Sequence, residues 1–560
     1  MHPRSNVLPV SDSLLESDPW RYARRVVGIT TAVAVMIQLC LSADILMFEC
    51  LGLCIVGTFL FAWQFQRDKF RKGPFSMLML LGFGSTYFYL PLIFTTFEFS
   101  PVYNKLVVPV EDFTAALAVY VCLILMQRLC AGFSPILSLR RGISSKVLKP
   151  LGFFSTPSEL QLWGMGMVGV IGFLVGHSST HEADSETLEK FFQSFRIFTF
   201  APFLLLVPQM IGGTNKIKKS ATALIIFTVV LFCLAMSTGS RGYTVVGLVT
   251  AVCSYWLGVW SGVIRANRFK FRHLLLVSIG LYLITGPLGD AFTAANAGST
   301  GKGRDRSIGE AFSDFVEAFS SEEILENYKN VSAKVAAQEG AWIETYVENE
   351  FLRRFANLSF MDNTFSIALS IDDNSRDKLR KIETLRAWSI LPNPVIQFFG
   401  IEVDKKEDFK GSMGDIFYNE TLGQDAGLGS YKTGNLISSA YNLFGLAFPV
   451  MIALLAGGLF IQMDCLVIGG GAQPGDVNDR EEGLKFSPLG LLQSYAIFSI
   501  LSSTTSVESY SGLLSVLARN YLQWIILYLI IFWATSFIFG VRKASSKSGV
   551  LPVARGPMGV

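Results

Sequence analysis

The chain has 560 residues, of which 51% are hydrophobic and only 16% charged, with a net charge of +3. Soluble domains carry about 25% charged residues, so this composition excludes an ordinary soluble enzyme, and the near-balanced charge gives no electrostatic reason to bind nucleic acid. The eight cysteines all lie in or beside apolar runs, with neither a disulfide framework nor zinc-ligand spacing.

In chain order, residues 1–25 form a polar tail ending in Arg21, Arg24 and Arg25. No cleavable leader precedes the first apolar run, which therefore reads as an uncleaved signal anchor. Apolar runs follow at 26–42, 45–65, 75–97, 106–127, 160–180, 191–211, 221–236, 243–264, 273–292, 436–461, 487–505 and 519–540. A bilayer core of about 30 Å needs about 20 helical residues. The expected fold is an all-α polytopic membrane protein of about twelve transmembrane helices. A first block spans 26–292, a large and mainly helical extracytoplasmic loop spans 293–435, and a second block spans 436–540. A short tail, 541–560, closes the chain.

Orientation follows from the short loops. Arg67, Lys69, Arg71 and Lys72 lie in one set, with Arg140, Arg141, Lys146 and Lys149, then Lys216, Lys218 and Lys219, then Arg265, Arg268, Lys270 and Arg272. The C-terminal tail adds Arg542, Lys543 and Lys547. The alternate loops are nearly free of basic residues. Both termini are therefore expected in the cytoplasm and the 293–435 loop outside it. Two helices are expected in that loop. The first is AWIETYVENEFLRRFANLSF, 341–360, where Ile343, Val347, Phe351, Phe355 and Leu358 recur at helical spacing. The second is SRDKLRKIETLRAWSI, 375–390, stopped by Pro392 and Pro394.

The chemistry-bearing candidates gather at the outer surface. Arg241 interrupts the positive-inside pattern in the short turn Ser237–Tyr243, where Gly239, Ser240 and Gly242 let backbone N–H groups approach an anion. A planar guanidinium suits phosphate because it donates two parallel charge-assisted hydrogen bonds; the bland reading is an arginine snorkelling to head groups. Arg353 and Arg354 lie on the first loop helix, where Glu350 offers Arg354 a local ion pair. Arg196 lies near the outer end of the sixth run, and Arg519 opens the last. Arg376, Arg380 and Arg386 read as a solvated face of the second loop helix. Glu344, Glu348, Asp362, Asp415, Glu420 and Asp425 are candidate general bases, and the residues alone do not choose among them. His177 and His181 lack a third ligand, and GSTGKG at 298–303 departs from the phosphate-loop pattern. Neither a metal nor a cofactor is signalled.

On three features the chain resembles bacterial oligosaccharide repeat-unit polymerases, the Wzy-type O-antigen and exopolysaccharide polymerases. These are a many-span chain with one large late external loop, the STGSRG turn between two spans, and KTGNLISSAYNLFG, Lys432–Gly445, leading into the tenth span. The resemblance implies a membrane glycosyltransferase of the C-like class in the bacterial inner membrane. Its substrates would be polyprenyl-diphosphate-linked oligosaccharides, with a chain-length regulator and a flippase of the same pathway as partners. Arg241, Arg353, Arg354 and Arg196 would hold the diphosphate, and Glu344, Glu348 or Asp362 would take the acceptor proton. The alternatives are an O-antigen ligase type, which resembles a pattern with a histidine in the large loop where this chain has none, a lipid-linked oligosaccharide flippase, and a structural assembly partner.

Overall fold

A computed structural model of the chain describes residues 19–178, 191–213, 220–237, 242–264, 342–343, 345–353, 355–401, 411–422, 432–469, 483–502 and 507–539, with Ser313 and Glu317. The described residues are overwhelmingly helical; the β structure among them is one short antiparallel pairing of Val467–Ile468 with Lys485–Phe486. Among the described residues, six helices are long and apolar enough to cross a membrane: Pro19–Leu41, Ile45–Trp63, Pro74–Phe97, Pro109–Gly132, Leu436–Asp464 and Tyr510–Phe539. Four apolar helices are shorter, at Glu159–Val175, Phe191–Leu206, Ala221–Ala235 and Val246–Ser261.

Local chemistry sets several of these boundaries. Asp44 caps Ile45–Trp63 by accepting the Met47 N–H at 2.6 Å. Pro74 and Pro109 occupy first turns, where a missing N–H costs nothing. Pro91 falls inside the Pro74–Phe97 helix, and the turn before it, Ser85–Tyr89, widens to π geometry. That widening accommodates the hydrogen bond the proline cannot make.

The Pro74–Phe97 helix is the hub, 78% buried along its most apolar window against 17% for Pro19–Leu41. Its aromatic side chains build the centre: Phe83 lies 4.6 Å from Tyr87 and 5.5 Å from Tyr120, ring to ring, with Phe88 and Phe113 alongside. Gly82 lets the hub touch a neighbouring backbone, because an added methyl would fall on the Phe498 carbonyl oxygen. Small residues serve this purpose where helices pack in membranes. The peripheral helices leave Ile29, Val33, Met36, Phe59, Leu125, Val450, Leu454, Ile526 and Trp533 exposed, an apolar girdle fitted to lipid.

The two ends of the bundle differ in chemistry. At one end Lys69 and Arg128 each lie 4.3 Å from the Trp63 ring, Arg67 lies over Trp20, and Trp20 donates to the Trp260 carbonyl at 3.0 Å. Burial, followed by the charges of Arg128 and Arg24, pulls the Lys69 ammonium down to about 8. At the opposite end the described part of 342–435 folds into a helical layer. Asp362 accepts the Val107 and Val108 N–H groups at 2.8 Å, the Tyr346 hydroxyl donates to the Val102 carbonyl at 2.7 Å, and Glu98 accepts from the Glu348 and Asn349 N–H groups. The Ala221–Ser237 helix starts beside Glu159 and the Gly242–Ser261 helix ends beside Trp20, so Ser237 and Gly242 both lie towards the layer.

Three expectations change. The stretch 341–360 is not one helix. Residues 345–349 are bent and non-helical, Glu350–Arg353 makes a single turn, and a new helix runs Leu358–Ser370. Tertiary partners decide this: Asn363 clamps both the Ile343 N–H and its carbonyl, and Glu98 takes two further N–H groups that a helix would have paired internally. The run 487–505 is broken into Pro488–Leu492 and Ser494–Ser499, and so is not a single crossing helix. Arg519 does not open the last helix but lies well inside Tyr510–Phe539, in a π turn at Val516–Asn520. The second loop helix forms as Asp373–Trp388, capped by Asp372 onto the Ser375 N–H and followed by Pro392 and Pro394. The run 273–292 lies outside the described residues.

Candidate functional site

The Lys432–Gly445 stretch explains itself once its neighbours are placed. Asn435 caps the Leu436 helix by accepting the Ile437 N–H at 2.8 Å, and its amide donates to the Tyr87 hydroxyl at 2.9 Å, tying the layer to the hub. A methyl on Gly414 would strike the Lys432 backbone, so this glycine permits a close backbone crossing. The Lys432 ammonium lies 4.5 Å from the Tyr418 ring and 5.2 Å from the Trp342 ring, a cation held between aromatic faces. Its backbone N–H donates to Asp415 at 2.7 Å.

Beside it, the Asp373–Trp388 helix faces the start of Leu436–Asp464 and residues 507–511. Glu383 is 2% exposed. Its Oε1 accepts from the Ser439 hydroxyl at 2.8 Å and the Ser511 N–H at 2.9 Å, while Oε2 has no partner among the described residues. Asn442, on the same helix as Ser439, is 1% exposed with both side-chain polar atoms unpartnered among the described residues, and its carbonyl accepts from Arg380 Nε at 2.9 Å. Arg386 donates to the Gly411 carbonyl at 2.9 Å and lies 3.9 Å from Glu508. Glu508 also accepts the Met413 and Gly434 N–H groups at 2.9 and 3.2 Å. Burial pushes the Glu508 carboxyl up, and those two N–H groups and Arg386 oppose the shift.

A buried glutamate, a half-buried glutamate, a guanidinium, an amide unpaired among the described residues and an aromatic-flanked ammonium thus come together where three segments meet. Orphaned buried polar atoms are rare in folded proteins and costly, so unpaired Glu383 and Asn442 atoms mark a place where a polar ligand would complete the network. Carboxylate and amide groups hydrogen-bond hydroxyls, and aromatic faces pack against sugar rings, so the set suits a hydroxyl-rich molecule.

The sequence-derived candidates fall in other surroundings. Arg241, Gly239 and Ser240 lie outside the described residues, as do Glu344 and Arg354; Gly242 opens the Gly242–Ser261 helix. Arg353 donates to the Val347 and Glu348 carbonyls at 3.0 and 3.3 Å, holding its own turn. Glu348 is exposed and lies 3.8 Å from Lys105. Arg353 and Glu348 are therefore neighbours. Arg196 lies 5.0 Å from the Phe173 ring, on the flank made by Glu159–Ser178 and Ser194–Leu206. Asp362 is buried against the 107–108 turn. Burial raises its pKa most, opposed by the Val107 and Val108 N–H bonds. Arg376, Arg380 and Arg386 are not a purely solvated face: Arg386 is mostly buried, and the other two each bond a carbonyl outside their own helix.

Sequence reasoning missed Glu383, Glu508 and Asn442. One signal was available. Glu383 falls one turn after Leu379 on the apolar stripe of its helix, and a charge on such a stripe is either paired or functional. Comparison with protein-family models, with curated proteins and with solved structures finds no match to this chain.

Proposed function

We propose that this chain is a membrane glycosyltransferase that polymerises polyprenyl-diphosphate-linked oligosaccharide repeat units into a surface polysaccharide. In this reading about twelve helices cross the bacterial inner membrane. Both termini lie in the cytoplasm, and the 293–435 segment lies on the outer face. The observation that supports the reading is the layer built from the described part of 342–435 at the bundle end opposite the basic loops, towards which Ser237 and Gly242, the described residues flanking Arg241, also lie.

The chemistry fits such a place. Nucleotide sugars and ATP are absent outside the cytoplasm, so a donor must arrive already activated. A lipid diphosphate leaving group develops negative charge as the anomeric bond breaks. Fixed guanidinium groups stabilise that charge most where water is scarce. A carboxylate takes the acceptor hydroxyl proton, for which Glu383 and Glu508 join Glu344, Glu348 and Asp362 as candidates.

Deleting the gene in its host tests the class of activity. Loss of a polymerase leaves single repeat units on lipid or core, which is the expected result. Long polymer stranded on the lipid carrier would instead indicate a ligase, and units trapped on the inner face a flippase. Glycan sizing, with a probe of which face the units occupy, reads all three.

A further inference from the structure

The basic end of the bundle contains a half-enclosed cavity of about 400 Å³ that the glycan chemistry does not use. Its wall comes from separate parts of the chain: Arg67 and Arg71 on the Arg67–Lys72 helix, Gln209 and Gly212, Ser261 at the end of the Gly242–Ser261 helix, and Lys485 in the short β pairing. Among the described residues, every charged one in that wall is a cation. None of the ion pairs among the described residues joins Arg67, Arg71 or Lys485 to a carboxylate. Lys485 is held towards the cavity by donating to the Thr156 hydroxyl at 3.2 Å. Its ammonium is pulled below its ordinary pKa by burial and by the like charge of Lys149.

The backbone is shaped to leave these heads room. Gly212 and Gly262 have φ of 77° and 79°, which side-chain-bearing residues rarely adopt. A methyl on Gly212 would come within 3.0 Å of Lys485 Cε, and one on Gly262 within 3.7 Å of an Arg67 nitrogen. Beside the cavity, Trp20, Trp63 and Trp260 form a cluster with Arg67, Lys69 and Arg128. Tryptophan and basic residues together mark the level of lipid head groups.

We infer that the Arg67–Arg71–Lys485 cavity binds a phosphate ester, the chemistry presented by an anionic phospholipid head group at this end of the bundle. Two planar guanidinium groups and an ammonium around one cavity match a phosphate's oxygens, with the Gln209 amide able to donate further. Basic pockets between membrane helices are a recognised form of anionic-lipid site. A cavity of this size falls in the range that holds small ligands. The inference does not rest on the proposed glycosyl transfer, and its failure would leave that reading untouched.

The test uses the full chain in nanodiscs of phosphatidylcholine with or without phosphatidylglycerol. Retained lipid is read by native mass spectrometry and thermal unfolding is followed in parallel. Wild-type protein is expected to retain phosphatidylglycerol over phosphatidylcholine and to unfold at a higher temperature when it is present. Arg71→Gln and Lys485→Gln should each lower that preference about fivefold, Lys485→Arg should largely keep it, and Arg71→Lys, which keeps the charge but loses the planar fork, should keep only part of it. A parallel titration of detergent-purified protein with inorganic phosphate separates the sources. Saturable stabilisation by phosphate, lost in the same variants, supports the site with a soluble occupant. The inference is overturned if folded Arg71→Gln and Lys485→Gln retain phosphatidylglycerol as wild type does. It is equally overturned if wild-type protein prefers neither lipid and phosphate does not stabilise it, an outcome that needs no variant to fold.

Discussion

Replacing Arg140 by alanine is expected to lower the unfolding free energy by about 3–5 kcal/mol, the usual consequence of stranding one member of a buried ion pair. Asp464, 2% exposed, ends the Leu436–Asp464 helix. Its Oδ1 accepts the Phe75 and Ser76 N–H groups at 3.0 and 3.2 Å, the unpaired donors that open the Pro74–Phe97 helix. Its Oδ2 lies 3.3 Å from Arg140 Nη1, and the same guanidinium donates to the Lys72 carbonyl. Ser144, just after Arg140's helix, donates to the Cys465 carbonyl at 2.8 Å. One carboxylate thus joins the start of the hub helix, the end of its neighbour and the Ser134–Gly142 helix. Without Arg140 the charge stays buried with two N–H groups for company. Asp464→Asn keeps an acceptor for those N–H groups and removes the charge, so its cost should be smaller. Combined with Arg140→Ala, it should recover part of the single-mutant loss. Denaturant or thermal unfolding in one detergent, across the four-member cycle, reads these differences.

The second large effect is on activity. Arg241→Ala is expected to reduce polymer formation about 10²–10³-fold, matching about 2.7–4 kcal/mol for one lost charge-stabilising donor. Arg241→Lys keeps a charge but loses the planar fork, so it should rescue poorly. The protein should still reach the membrane at wild-type level, because the turn joins two helices whose apolar runs direct insertion by themselves. Immunoblotting for the protein and gel sizing of the glycan separate lost chemistry from lost protein. Polymer of normal length and amount from Arg241→Ala cells would remove Arg241 from the diphosphate site.

The parts of the fold that could be read from the sequence are those governed by local rules. Apolar length found the six long helices, and Pro392 with Pro394 marked the end of the second loop helix. The gathering of Arg67, Lys69 and Lys485 at one end agrees with the loop charge pattern. What failed was decided between distant segments. Asn363 and Glu98 hold 342–349 out of a helix that its own spacing favours. The close approach of Gly82 to Phe498 accompanies short, broken helices at 488–499 where an unbroken span was expected. The Phe191–Leu206 run winds as a tighter 3₁₀ helix over Ser194–Leu206, with Pro202 inside it.

The site followed the same division. The Lys432–Gly445 motif was visible because its glycines and Asn435 answer to backbone needs. Glu383 and Glu508 were not singled out among 44 acidic residues, because their hydrogen-bond partners Ser439, Ser511, Met413 and Gly434 lie far away in sequence. Asp362 was visible as a carboxylate but not as the cap of a turn some 250 residues earlier, as Val107 lies 255 positions away.

Purified protein in liposomes, supplied with a polyprenyl-diphosphate-linked repeat unit and no other enzyme, gives the plainest answer. A ladder of products spaced by one repeat unit, with free polyprenyl diphosphate released in step, is the predicted result. Recovery of the repeat unit unchanged, from protein shown to be folded and correctly oriented, would contradict the account.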